Sequence, residues 1–181
     1  MITEIKDKQY NIAGISRKVI EKPIFEPDDG KLGYGIYDGT IPNNLKESSA
    51  RWVIKPGRSS RAMELIDNNY QAIRSISDGS GYMLMILSEN QLVCYPVKAG
   101  DQISFGIGYS SVDCMIASPD GPGLEMVELG TPVFNPSAER EVKPGDKNIP
   151  KEFFKIKKLL EQGKETQAFN ILKKYQNENK K

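Results

Sequence analysis

The sequence predicts an all-β fold, a barrel or sandwich, with a helical appendage at the C-terminal end. Three observations carry that expectation. Between Lys98 and Pro136 apolar residues recur at period two, first as Ile103, Phe105 and Ile107 and then as Val112, Cys114 and Ile116. Turn chemistry separates the runs: Gly100-Asp101 precedes the first, and SPDGPG leads into Leu124 to Leu129. Finally, about ten such segments precede residue 135, and no long helical pattern or βαβ unit interrupts them. Alternation punctuated by turns marks antiparallel strands, and short connections without crossover helices argue for a barrel or sandwich.

In order along the chain, residues 9–22 read as one or two short strands around Gly14, and PIFEPDDGK reads as a turn. LGYGIYDGTI reads as a strand interrupted by Gly33, Gly35 and Gly39, and RWVIK as a strand ending at Pro56-Gly57, with Trp52 in the core. Ser60 to Ile66 alternates Arg61, Met63 and Leu65 against Ser60, Ala62 and Glu64. A strand from Gln71 to Ser77 is expected to end in a glycine-rich turn at Asp78 to Gly81. Tyr82 to Leu87 follows as an apolar strand, and Glu89-Asn90 makes a tight hairpin into Leu92 to Val97.

After residue 135 the character changes. NPSAEREVKPGDKNIP is polar, with three prolines, and reads as a linker or an arm over the barrel. Phe153, Ile156, Leu159 and Leu160 then form a helical stripe, Gly163 breaks it, and Ala168, Ile171, Leu172 and Tyr175 form a second. A docked helical hairpin is expected. From Lys151 onward nine lysines face four glutamates, so this tail carries net +5 and the rest of the chain about −4. The lysines lie mostly off the apolar stripe and read as a solvated face, so nucleic acid is not an expected partner.

Composition removes several functions. The 181 residues suffice for one domain with a core and a modest appendage. No apolar run approaches the roughly 20 residues of a membrane helix, and the N-terminus lacks a secretory pattern, so a cytoplasmic protein is expected. Cys94 and Cys114 fall inside strands and read as buried free thiols. There is no histidine. A His-rich metal centre, a Ser-His-Asp triad and a His general base are thereby excluded.

From about Ala50 to Pro136 the order of the pieces resembles the cupin family. Pro56-Gly57 fits the turn before its first motif, and SDGSGYMLMILSENQLVCYPVKAGD is similar to its central part. GTPVFNP resembles the family's exit from the last strand. The second cupin motif is written G(x)5PxG(x)2H(x)3N. Here Gly100, Gly106 and Gly108 occupy its first positions, with glycine in place of proline. Ser111 stands at the ligand histidine and Met115 at the final asparagine. The resemblance implies a jelly-roll barrel and a homodimer. The family's first motif offers two histidines and a glutamate to a divalent metal. This strand carries Arg61, Met63, Glu64 and Leu65, with Gln71 near the glutamate position. Met, Gln and Ser do not replace such ligands, so neither a metal nor another cofactor is expected.

What remains is a barrel mouth lined by Arg61, Glu64, Gln71, Arg74, Tyr109, Ser111 and Asp113, with Met63, Met83, Met85 and Met115 as core. The expected organisation is a β extension over 1–49, a barrel over 50–136, a linker over 137–150 and a basic helical tail over 151–181. The expected role is binding a small polar molecule, a carbohydrate or an organic acid. Three alternatives stand beside it. One is a lyase or isomerase using Glu64, Tyr109 or Asp113 as acid and base. Another is a filled barrel whose basic helices dock a partner. The last starts from GRSSRA, LIDNNYQ and GDQI, which resemble motifs of the dUTPase and dCTP deaminase family. Arg58, Ser59, Ser60 and Asp67 match its phosphate and deoxyribose positions, and Mg²⁺ is implied. The gap between the first two motifs is too short for that family, and its C-terminal phenylalanine motif is missing.

Overall fold

The computed structural model describes residues 9–12, 15–25, 31–37, 48–66, 71–87, 90–105, 112–131 and 139–179. Its strands are β1 (Gln9–Ile12), β2 (Ile15–Phe25), β3 (Lys31–Tyr37), β4 (Ser48–Ile54), β5 (Met63–Leu65) and β6 (Gln71–Leu87). They continue with β7 (Gln91–Lys98), β8 (Gln102–Phe105), β9 (Val112–Ala117), β10 (Leu124–Thr131) and β11 (Glu139–Glu141). Two helices follow, α1 (Lys151–Glu161) and α2 (Glu165–Glu178). The strands form one curled antiparallel sheet in the order β1-β2-β3-β4-β10-β6-β9-β5-β11, and β7 and β8 also pair with β6.

The 17-residue β6 is the hinge of this arrangement. Its first half pairs with β10 and β8, and its second half with β9 and β7. The glycine-rich stretch expected as a turn is therefore continuous strand. Met126 pairs with Ile76 but Glu125 with Asp78, so one extra residue is taken up as a bulge. Side chains that face inward at Arg74 and Ile76 give way to odd-numbered ones at Met83 and Met85. Gly79 has φ +79°, and a Cβ there would stand 1.9 Å from the Gly123 carbonyl oxygen. Glycine serves here for a bend and a close approach rather than for chain reversal. On the opposite edge of β6 the β7–β8 turn continues the bonding between its two partners: Ile76 N–H donates to Asp101 O and Ala99 N–H to Gly79 O, both at 2.9 Å.

The strand expected over Ser60 to Ile66 is realised only at Met63–Leu65. Ahead of it the Ser60 hydroxyl enters the ladder, accepting from Met115 N–H at 2.9 Å and donating to the Arg61 carbonyl at 3.0 Å. Such local side-chain bonding competes with regular strand pairing. The stretch read as linker also carries a strand, since β11 pairs antiparallel with β5.

The sheet buries both faces. One lines the barrel with Ile54, Ile76, Met83, Met85, Val93, Val97, Met115, Ala117, Leu124 and Met126. The other presents Tyr82, Leu84, Ile86, Leu92, Cys114 and Ile116 to Phe153, Ile156, Leu160, Ala168 and Leu172 of the helices. The helical hairpin is thus docked on the outside of the barrel. Gly163, at φ +71°, ends α1: Gly163 N–H donates to Leu160 O and Lys164 N–H to Leu159 O, the Schellman pattern. Edge strand β7 is guarded twice, by Pro96 and by α2, whose Gln176 amide donates to the Leu92 carbonyl at 3.0 Å.

Candidate functional site

Inside the barrel the charged residues meet at Arg74. In the ladder Arg74 lies opposite Glu128 of β10 and Ile103 of β8, so the three side chains share the inner face. Asp113 of β9 lies opposite Met85 and Met63, two residues before the inward-facing Met115. The Arg74 guanidinium donates through Nη1 to Asp113 Oδ1 at 2.5 Å and through Nε to Glu128 Oε2. One arginine thereby ties the two halves of the curled sheet together across the interior. The side chains of Arg74, Asp113 and Glu128 are 12%, 19% and 12% exposed, so the group is largely but not wholly withdrawn from water.

Burial works against the charge on Arg74, but Asp113 and then Glu128 outweigh it and hold the guanidinium well above its ordinary pKa. The trio sums to one negative charge. Apolar and thioether surface surrounds it: Ile76, Met85, Met115 and Met126 are buried in the same cluster, and Trp52 and Ile103 pack against that cluster.

The other expected site residues are distributed differently. Glu64 lies opposite Val112, on the face turned toward the helices, and accepts from Arg140 of β11. It therefore does not stand with Asp113, because β5 alternates and Met63 takes the inner position. Arg61 pairs with Glu141 at 3.6 Å near the same edge. Gln71 begins β6, but its side chain lies outside the described residues, as do Tyr109, Ser111 and Asp67 altogether. Sequence reasoning missed Glu128. Its signal was present, since period two from Leu124 and Met126 puts a carboxylate on the barrel-facing side.

The serines of the nucleotide reading are committed to the protein. The Ser59 hydroxyl donates to Glu161 Oε1 of α1, and Lys157 Nζ donates to the same oxygen at 3.0 Å. Ser60 is engaged in the ladder as above. Both are buried, which leaves neither hydroxyl for a phosphate. Cys94 and Cys114 are free thiols; burial pushes Cys94 up to about 12 and Cys114 upward too, which disfavours a thiolate nucleophile.

The divalent metal of the cupin family does not fit these residues. Asp113 and Glu128 both bind the Arg74 guanidinium, which sets a positive charge between the two carboxylates. The chain has no imidazole, and among the described residues no group of three or more Cys, Asp or Glu is placed to hold a metal ion. Nor is any helix among them long and apolar enough to cross a membrane.

No family model and no curated protein matches the sequence. Solved structures do. A Streptomyces Pac13 variant with uridine aligns at a TM-score of 0.50 and 16% identity, covering 68% of this chain and 87% of that one. Bacillus subtilis oxalate decarboxylase at pH 4.6 aligns at a TM-score of 0.57 and 14% identity, covering 76% of this chain and 35% of that one. This chain thus spans about a third of the decarboxylase. At such identities the likeness is one of fold: the chain has a cupin-like β-barrel fold, without histidine and with a helical hairpin on its outer face.

Proposed function

We propose that the barrel binds a small, hydroxyl-rich polar molecule, a carbohydrate or a related polyol, without a metal. The observation that supports this is the engagement of Arg74 by two carboxylates. An organic acid would need the guanidinium as its counter-charge, and would approach a group that already carries net negative charge. A neutral polyol donates hydroxyl hydrogens to carboxylate oxygens and lays its C–H surface on the neighbouring Trp52, Ile103 and methionine side chains. Of the two ligand classes the sequence suggested, this favours the carbohydrate. A cytoplasmic protein and a homodimer belong to the same proposal. Because α1 and α2 already cover the outer face of β6, β7 and β9, any pairing of copies uses another surface.

The test is a thermal-shift screen with neutral sugars, nucleosides, sugar phosphates and organic acids, each with and without EDTA. A ligand at about 100 times its dissociation constant adds about 2.7 kcal/mol to apparent stability. A shift with neutral sugars or nucleosides, indifferent to EDTA and lost in Asp113→Asn, is expected. A shift with organic acids alone, or one abolished by EDTA, overturns the reading. A second reading, a filled barrel, is favoured by the burial of Met83, Met85, Met115 and Met126 in the interior. Silence across the whole panel would select it.

A further inference from the structure

The helical hairpin sorts its charges. Each turn of α1 that faces solvent ends in a lysine: Lys151, Lys155 and Lys158, at i, i+4 and i+7, are all exposed. At 1.5 Å per residue this stripe spans about 10.5 Å. Of the four acids of the same hairpin, Glu152 is half-buried within electrostatic reach of Tyr175, and the other three are engaged. Glu161 is turned onto Ser59 and Lys157, Glu165 bonds the Tyr82 hydroxyl, and Glu178 lies 3.9 Å from Lys174. The described residues give none of the three stripe lysines an ion-pair partner. Lysines and glutamates one turn apart stabilise a helix, and Lys157–Glu161 and Lys174–Glu178 are paired in that way, whereas Lys151, Lys155 and Lys158 have no such pair among the described residues and form a stripe of one sign.

We infer that this stripe of α1 docks an acidic segment of a protein partner. Three features select that occupant. The hairpin exposes no large apolar side chain, because its apolar face is spent on the barrel and the exposed large hydrophobics among the described residues, Ile66 and Tyr95, lie elsewhere. A membrane surface would therefore gain no insertion, and unstacked bases would find no aromatic platform. The chain as a whole has a pI near 7.6, and residues 1–150 carry net −4, so a long polyanion lying across the molecule would meet repulsion beyond the stripe. A short acidic helix or tail, with carboxylates at the same one-turn spacing, meets the lysines without crossing the acidic remainder of the chain.

Fluorescence anisotropy with a labelled 20-residue polyglutamate peptide tests this on the full chain. Binding in 20 mM salt, weakening as salt rises, is expected. The K151E/K155E/K158E variant should lose at least tenfold in affinity for polyglutamate and gain affinity for polylysine, with its melting temperature little changed. No binding of polyglutamate up to about 100 µM overturns the inference, as does equal affinity in the variant. Tighter binding of a 20-base-pair DNA duplex, or of phosphatidylserine vesicles, than of the peptide at 150 mM salt also overturns it.

Discussion

Gly81 faces the Ile116 carbonyl so closely that a Cβ built on it would stand 2.0 Å from the oxygen. The strands β6 and β9 meet there, with Gly81 opposite Ala117 and Tyr82 opposite Ile116. Backbone, not a flexible side chain, fills the space. Gly81→Ala should therefore destabilise the protein by about 3 kcal/mol, the upper end of what forced overpacking typically costs. Gly100→Ala is the contrast: its φ of +94° is strained for alanine, but nothing lies within 4 Å. A loss nearer 1 kcal/mol is expected there. Urea midpoints for the two variants would settle the order, and equal losses would refute the close-approach account.

The same glycines explain what the sequence left illegible. Asp78 to Gly81 has the composition of a hairpin turn, and a bulge crossing between two halves of a sheet needs the same residues. Only partners far away in the chain, Gly123 and Ile116, distinguish them. The alternation in β9 and β10 was readable and placed Asp113 and Met115 on one face, because period two survives wherever one face is buried. It also marked Glu128, had its parity with Met126 been followed. Glu64 was unreadable for the opposite reason. A three-residue strand gives too few alternations to say which face is inner, and its Arg140 partner lies 76 residues on.

Arg74 is the residue whose loss should hurt most among the interior polar groups. Arg74→Met leaves Asp113 and Glu128 largely buried with no guanidinium between them. Removing one member of a buried charged group costs about 3–5 kcal/mol, since the remaining charges keep their desolvation penalty. Arg74→Met combined with Asp113→Asn and Glu128→Gln should recover a large part of that loss. Denaturant melts of the single and triple variants measure it. If the triple variant is no more stable than the single one, the cluster is not held together by charge.

The hairpin should be inseparable from the barrel. Leu84 and Cys114 are completely buried at its interface, and Ile116 likewise, with Phe153 and Leu160 supplied by α1. A chain ending at Pro150 would present this apolar face to water, and an exposed patch of that kind promotes association. We expect the truncated chain to bind ANS, to melt without a cooperative transition and to elute as aggregate in size-exclusion chromatography. Phe153→Ala, the milder change, should cost about 3–5 kcal/mol in the full-length protein. A soluble, cooperatively melting 1–150 fragment would show the hairpin to be an accessory.

Alkaline pH should weaken the protein through groups buried beside those helices. Burial holds Cys94 near 12, lifts Cys114 and, with a hydrogen bond to Glu165, lifts Tyr82 as well. In the unfolded chain a thiol titrates near 8.5. Between that value and about 12 the folded state keeps protons that the unfolded state has released. Stability is therefore unaffected below about pH 8 and falls as pH rises through this window. The slope approaches about 1.4 kcal/mol per pH unit for each such thiol. Cys94→Ala should flatten the decline by one group. The same burial predicts that Ellman's reagent at pH 8 reacts slowly with the native protein and counts two thiols once urea unfolds it. Rapid native reaction of either cysteine, together with a flat stability profile from pH 8 to 10, would mean that this side of the sheet is open to solvent.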